Sequence, residues 1–327
     1  MVPGPVPVSV VIPVRNEVDT IAAAIDSARE QRYKGPLEVI VAVAPSSDGT
    51  RRVVADIAAH DRRVNLVDNP AGTTSSGLNE AINASSGAII ARCDAHSVLP
   101  SGYVAAAVEL IETTGADVVG GTMDAVGRGA VGRAVAAAMS NPLGVGDARF
   151  HTGGPAGEVD TVYLGVFRRS ALDRVGLFDE DLERNQDYEL NYRIRAGGGS
   201  VHFDPGLAVV YRPRSTLAGL WRQYFDYGRG KRRVLKMHPE SLRWRQLAAP
   251  ALVVGLAGSL VLAFTPARRL SLAAPTLYAS AVALATAYEV MQRRDPAMVA
   301  LPAVFPTMHL AWGIGFLTAG QAETSER

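Results

Sequence analysis

The sequence predicts an α/β domain on a mostly parallel sheet, followed by a helical part suited to lipid. Two observations carry this. Over residues 8–100, short apolar runs alternate with amphipathic stretches, the pattern of strands returning through crossover helices. Towards the other end, residues 247–264 and 270–288 are apolar without a charge, and 298–319 is apolar apart from His309. A bilayer core needs about 20 apolar residues per helix, so these runs read as two or three transmembrane or re-entrant helices. A buried helical subdomain is the alternative, but three such runs in series rarely fit one soluble core.

Residues 8–13 form a first strand, stopped by Pro13. Arg15-Asn16-Glu17 follow, and Asp19 or Thr20 caps a helix that turns Ile21, Ile25 and Ala28 inward. A second strand spans 37–43. Ser46-Ser47-Asp48-Gly49-Thr50 make a turn, with Asp48 placed to start the helix of Val53, Val54 and Ile57. A strand at 64–67, a helix at 76–84 and a strand at 88–92 continue the alternation. Beyond Pro100, a helix to about Thr113 leads to a strand at 117–121. Residues 127–157, rich in glycine and alanine, predict a short helix at 130–139 and then a mobile loop over the cleft. A strand at 159–167 ends in Arg168-Arg169, and a helix from Asp187 turns Leu190 and Ile194 inward.

The 33 basic and 32 acidic residues nearly cancel, which excludes a global field suited to nucleic acid. Basic residues crowd instead into 212–245, where ten of them face Asp226 and Glu240. Leu217, Leu220, Trp221, Tyr224, Phe225 and Tyr227 give that basic segment an aromatic face, as for a helix in the headgroup layer held against anionic lipid. The expected layout is a cytoplasmic α/β domain at 1–215, a basic amphipathic interfacial segment at 216–246, membrane helices at 247–320 and a polar tail at 321–327. The plasma (inner) membrane is the expected location. Cys93 is the sole cysteine, so no intrachain disulfide forms, and the N-terminus lacks the charged start and apolar core of a signal peptide.

Chemistry concentrates at 88–96. In an open parallel sheet, ligands bind beyond the carboxyl ends of the strands. There Asp94-Ala95-His96 set a carboxylate and an imidazole at alternate positions of a tight turn, where both reach one divalent cation holding a diphosphate. The same residues also suit a helix cap beside an exposed histidine. Cys93 reads as a packing residue, His309 as a neutral residue between helices, and Arg92 and Arg168-Arg169 equally as surface charges.

Val10-Val11-Ile12-Pro13-Val14-Arg15-Asn16-Glu17, then the turn at 46–50, Asn79, Asp94-Ala95-His96 and Gln186-Asp187 resemble family 2 glycosyltransferases in order and spacing. The Arg92-Cys93-Asp94-Ala95-His96 element, residues 185–193 and Tyr227-Gly228-Arg229-Gly230-Lys231 are similar to the succinoglycan-biosynthesis type. The resemblance covers about 8–231. It implies a GT-A fold, a nucleotide-sugar donor and inverting transfer to an acceptor hydroxyl, assisted by Mg²⁺ or Mn²⁺. It also implies that Pro13, Arg15 and Glu17 line the nucleotide pocket, with Asp48 and Asn79 among the substrate-binding motifs. Asp94 and His96 then stand at the metal position, and Asp187 is the catalytic base. One departure is Val43-Ala44-Pro45, where the family usually carries an acidic residue against the nucleotide base; UDP- and GDP-sugars therefore both stay open.

A departing diphosphate gathers negative charge, which a cation stabilises without proton transfer. His96, replacing a second carboxylate, softens the site and favours Mn²⁺ over Mg²⁺; alternatively it bonds a backbone carbonyl. Asp187 opens a helix, where the macrodipole favours its ionised form, and the position equally suits an N-cap. Glu189 either orients the acceptor or lies on a solvated face. Arg229 and Lys231, beside Arg232 and Arg233, close over a diphosphate or anchor the membrane. The expected reaction adds one sugar to a glycan carried on a polyprenyl diphosphate. A processive synthase would have more spans and a Gln-x-x-Arg-Trp motif, whereas Trp221-Arg222-Gln223 runs in the wrong order. A nucleotidyltransferase would carry a glycine- and lysine-bearing loop after the first strand. A non-catalytic scaffold on the same fold is opposed by the retention of Asp94 and Asp187.

Overall fold

The computed structural model describes residues 4–319, so the expected tail at 321–327 lies outside the described residues. In chain order the elements are β1 (Val8–Val14), α1 (Ile21–Arg29), β2 (Leu37–Val43), α2 (Thr50–His60), β3 (Val64–Asp68), α3 (Thr74–Asn83), β4 (Ile89–Arg92) and α4 (Tyr103–Thr114). They continue with β5 (Val118–Gly121), β6 (Met123–Ala125), α5 (Gly129–Met139), α6 (Pro142–Val145), α7 (Arg149–Thr152), β7 (Gly157–Glu158), β8 (Tyr163–Arg168), α8 (Arg169–Val175) and α9 (Gln186–Ala196). After β9 (Val201–Phe203) and β10 (Val209–Tyr211), the rest is helical: α10 (Leu217–Met237), α11 (Ala248–Leu262), α12 (Ala273–Arg293) and α13 (Leu301–Thr318). Two compact units result, Met1–Asp124 with Gly153–Val210, and Ala125–Thr152 with Tyr211–Arg327.

The α/β unit holds an eight-stranded sheet in the order β3-β2-β1-β4-β8-β5-β9-β7. β1 pairs in parallel with β2 (Val10↔Val39) and with β4 (Val10↔Ala91), and β2 with β3. Val10, Val11, Ile12, Val39 and Val41 are fully buried, as strands covered on both faces require. β8 runs antiparallel between β4 and β5. The chain steps from β1 outward to β2 and β3, then returns to the other side of β1 as β4. The strand order therefore reverses between β1 and β4, and their carboxyl ends flank the crevice this leaves.

Several local expectations need correction. Pro13 does not stop β1; it pairs in register with Ala42, and the strand runs on to Val14. The Thr20 hydroxyl donates to the Glu17 carboxylate at 2.7 Å rather than capping α1. Helix α2 starts after Gly49, whose φ of 93° suits glycine. Asn185, with φ 64°, precedes α9, so Asp187 lies within the first turn and is not its N-cap.

Residues 125–152 belong to the helical unit, so the expected continuous domain at 1–215 is corrected, and the stretch after 139, expected as a loop, contains the short helices α6 and α7. Helix α5 forms as expected, but Ala134, Ala137 and Ala138 are fully buried in the helical unit, where small side chains allow close packing. Arg133 pairs with Asp295 at 2.8 Å, and the Asn141 amide donates to Glu289 at 2.8 Å. Helix α10 is placed differently in part: Leu220, Tyr224, Gly228 and Val234 are buried, with Gly228 close against Trp312 of α13, while Leu217 and Trp221 of the expected apolar face stay exposed. Three helical stretches are long and apolar enough to cross a membrane: Trp244–Leu262, Arg268–Arg293 and Pro296–Thr318.

Candidate active site

Arg92, the last residue of β4, organises the crevice. Its Nε and Nη2 both lie 2.9 Å from Asp94 Oδ1, and Nη1 donates to Asp187 Oδ1. One guanidinium, 5% exposed, thus gathers the carboxylate after β4 and the carboxylate on the first turn of α9. Burial disfavours the arginine's charge, but the two carboxylates outweigh it and raise its pKa. Burial raises the Asp187 pKa above the ordinary value; Arg92 opposes this and Asp94 adds to it. Arg92 is therefore no surface charge. The structure, not the sequence, marks it out: all four positions of β4 are buried, the cation included.

The two carboxylates converge because helix α3 holds the segment leading to α9. Asn79 Oδ1 accepts from Phe178 N at 3.0 Å, while Nδ2 donates to Phe178 O at 2.9 Å and to Glu180 at 2.8 Å. Ser75 donates to the Leu182 carbonyl at 2.9 Å. Glu189 does not lie on a solvated face. It is 1% exposed and takes both Nε (2.7 Å) and Nη2 (2.8 Å) of Arg193, whose remaining donors reach the carbonyls of Val175, Gly176 and Leu177. Asn79 and Glu189 thus build the frame that delivers Asp187. Arg168 and Arg169 likewise bind carbonyls, at Ile111 and Ala116 and at Gly87 and Ser85.

On the other flank, the loop after β1 is stitched to the turn after β2. Asn16 N donates to Ser46 Oγ (3.1 Å), Ser47 N to Asn16 Oδ1 (2.9 Å), Glu17 N to Thr50 Oγ1 (2.9 Å) and Val18 N to Asp48 Oδ2 (3.0 Å). Asp48 also accepts the Thr50 hydroxyl and amide, which hold its carboxyl below the usual range. Asp48 therefore shapes the wall, leaving Arg15 exposed and Glu17 half-buried at its rim. Pro13 packs towards α3, where a Cβ on Gly77 would meet its own at 3.1 Å. Glu17 Oε1 lies 3.5 Å from His96 Nδ1, bringing the β1 and β4 loops together. Arg229 and Lys231 belong to the helical unit, where Arg229 is exposed and Lys231 is buried at 2% exposure.

The donor set fits a divalent cation that arrives with its ligand. Among the described residues, no group of three His, Cys, Asp or Glu side chains forms a closed cage. Asp94 keeps Oδ2 clear of its bond to Arg92, and His96 keeps Nε2 clear of Glu17. Two protein donors suffice where phosphate oxygens and water complete the shell.

Tyr163 is a further neighbour without a sequence signal: its phenol bears on the Arg92 charge. The backbone at Leu164 turns left-handed there, φ 45°, with its carbonyl held by the Tyr103 hydroxyl at 3.2 Å.

Glycosyl transferase family 2 is the family whose model matches, over residues 9–176. The succinoglycan biosynthesis protein ExoA of Rhizobium meliloti (strain 1021) is 32% identical over 310 residues, covering 94% of this chain and 93% of that protein. Glycosyltransferase AglE of Haloferax volcanii is 33% identical over 119 residues, 36% of this chain and 39% of AglE. Among solved structures, mannosyltransferase PcManGT of Pyrobaculum calidifontis, in complex with GDP-Man and Mn²⁺, superposes with a TM-score of 0.65 at 22% identity, over 96% of this chain and 88% of that one. TarS of S. aureus superposes at 0.53 with 16% identity, over 95% of this chain and 55% of that one. These likenesses agree with the GT-A architecture, and the chain belongs to glycosyl transferase family 2, in its succinoglycan-biosynthesis type.

Proposed function

We propose that this glycosyltransferase transfers one sugar, with inversion, from a GDP- or UDP-sugar to a polyprenyl-diphosphate-linked glycan at the cytoplasmic face of the plasma membrane. The carrying observation is the Arg92 guanidinium, which ties Asp94 and Asp187 to one point. Asp94 serves the donor side, where it and His96 would hold a divalent cation, Mn²⁺ preferred because an imidazole is softer than a carboxylate. A cation held there would neutralise charge developing on the leaving diphosphate. Asp187 serves the acceptor side: it takes the hydroxyl proton as the new glycosidic bond forms, with Arg92 keeping its carboxylate aimed. Pro13, Arg15 and Glu17 border the nucleotide. Asp48, Asn79 and Glu189 contribute by holding the walls in place. Arg229 and Lys231 belong to the membrane side, where Arg229 meets lipid phosphate. The presence in the same chain of helices long and apolar enough to cross a membrane supports a lipid-linked acceptor.

The test is product formation by the purified full chain with a panel of GDP- and UDP-sugars, Mn²⁺ or Mg²⁺, and lipid-linked or soluble acceptors. The reading expects an inverted anomeric centre, faster turnover with Mn²⁺ and preference for the lipid-linked acceptor. A retained anomeric configuration removes the single-displacement role of Asp187. Equal rates on soluble sugars remove the lipid-linked acceptor.

A further inference from the structure

The three apolar helices of the C-terminal region are not equivalent. In the stretch Trp244–Leu262 only Gln246, Pro250 and Ser259 are buried, in Arg268–Arg293 only Val282 and Glu289, and Leu260, Leu277 and Leu284 are 67–74% exposed. In Pro296–Thr318 ten residues are buried, with Leu301, Val304, Phe305, Met308 and Ala311 fully enclosed. Helix α13 behaves as a protein core, whereas α11 and α12 present the faces that a bilayer would cover.

The partners of α13 decide where it lies. At its C-terminal half, α10 approaches backbone to backbone. A Cβ on Gly228 would fall 2.1 Å from Trp312 O, and one on Gly315 would fall 2.2 Å from Phe225 O. The Arg232 guanidinium sits 5.4 Å from the Phe316 ring. Yet α10 exposes Arg222, Asp226, Arg229, Arg232, Arg233 and Lys236, a row of charge that hydrocarbon does not accept. Before its N-terminus, Asp295 pairs with Arg133 of α5 in a half-exposed ion pair, and midway His309 meets the Leu143 carbonyl and the Tyr278 hydroxyl of α12, each at 2.8 Å, while Gly313 packs against Ala249 at the start of α11. No stretch long and apolar enough to cross lies between residues 125 and 243, and α5 itself, 11 residues or about 16 Å, is too short. So α10 and the α5–α6 segment lie on one side of any membrane, and both ends of α13 are tied to that side.

We propose that the chain enters the bilayer through a single hairpin, α11 out and α12 back. Helix α13, with α10 and α5–α6, then forms a platform that starts on the side the hairpin enters and packs along α12 as far as Tyr278, its exposed cationic row towards anionic lipid. The α12 end is consistent, since Glu289 is held by Asn141 of the same platform. The placement rests on the membrane reading of the hairpin and not on the chemistry of the crevice.

The test is side-specific labelling by a membrane-impermeant maleimide, in right-side-out and inverted vesicles holding the full chain. Cys93 is fully buried and supplies the blank. Arg128→Cys marks the α5 side, Pro266→Cys the hairpin tip and Thr318→Cys the end of α13, all at exposed positions. The expected result is that Arg128→Cys and Thr318→Cys react from one side and Pro266→Cys from the other. Thr318→Cys reacting with Pro266→Cys, or reacting only after detergent, overturns the platform in favour of a crossing or embedded α13. All three reacting from one side overturns the hairpin itself, and leaves the glycosyl-transfer reading untouched.

Discussion

Two arginine–carboxylate clusters meet helix α9 two residues apart, and they are built to opposite ends. At Glu189, one carboxylate faces one guanidinium in bidentate geometry, and the spare donors of Arg193 are used up on three backbone carbonyls. At Asp187, one guanidinium is shared by two carboxylates, and the Asp187 side chain keeps 26% of its surface against 1% for Glu189. The first cluster is charge-balanced and closed. The second carries one excess negative charge and leaves an oxygen of each aspartate without a protein partner among the described residues. A closed pair fixes a fold; an unbalanced, partly open one is ready for a cation on one side and a proton on the other.

Conservative amides separate the two clusters most sharply. Asp187→Asn should lower kcat by about 10²–10⁴-fold, the usual worth of a general base, with little change in melting temperature. Glu189→Gln should do the reverse, costing about 3–5 kcal/mol of stability by stranding Arg193, while molecules that stay folded keep their turnover. Circular dichroism melts beside a radiolabelled transfer assay check both. Near-normal turnover in the first variant, or a stable but inactive second one, erases the distinction. Next in size, Asn79→Ala leaves the Phe178 amide and carbonyl unpaired and should cost about 1–3 kcal/mol, with KM for donor unmoved.

Smaller effects sharpen the contrast. His96→Asp should move the preference from Mn²⁺ towards Mg²⁺ by a few-fold at matched free concentrations, and an unchanged ratio counts against ligation by His96. At the far end of the sheet, burial opposes ionisation of Glu38, but the Ser9 hydroxyl and the Ser86 amide and hydroxyl outweigh it and hold its pKa below the usual value. A depressed folded-state pKa contributes stability above the unfolded value of about 4.3, and that contribution is lost as pH falls through the lower folded value. Glu38→Gln should therefore flatten the acid side of the melting-temperature profile and leave neutral activity alone.

Much of the α/β unit was legible because its strands are short apolar runs and its helices keep strict amphipathic spacing. The pairing of β8 was not, since an antiparallel strand beside β4 carries the same residues as a parallel one. The fate of 127–152 was hidden for a related reason: alanine and glycine suit a loop and a tightly packed helix equally, and the deciding partners, Asp295 and Glu289, lie some 150 residues on. In the crevice, the motif residues near the strand ends could be named and given roles by resemblance, but not the hydrogen bonds that each one makes. Asn79, Asp48 and Glu189 carry the residue types of ligand contacts, and the structure spends their hydrogen bonds on backbone and neighbours. Arg92, which joins the two aspartates, looked like any surface charge until its burial was known.

Nucleotide binding tests the central division most directly. The melting temperature of the full chain should rise with GDP or UDP plus Mn²⁺, because a ligand bound by the folded state alone stabilises it. The account predicts that Asp187→Asn keeps this rise and loses transfer, whereas Asp94→Asn loses both. Equal behaviour of the two variants, whether both keep the rise or both lose it, would contradict a donor-side and an acceptor-side carboxylate sharing one arginine.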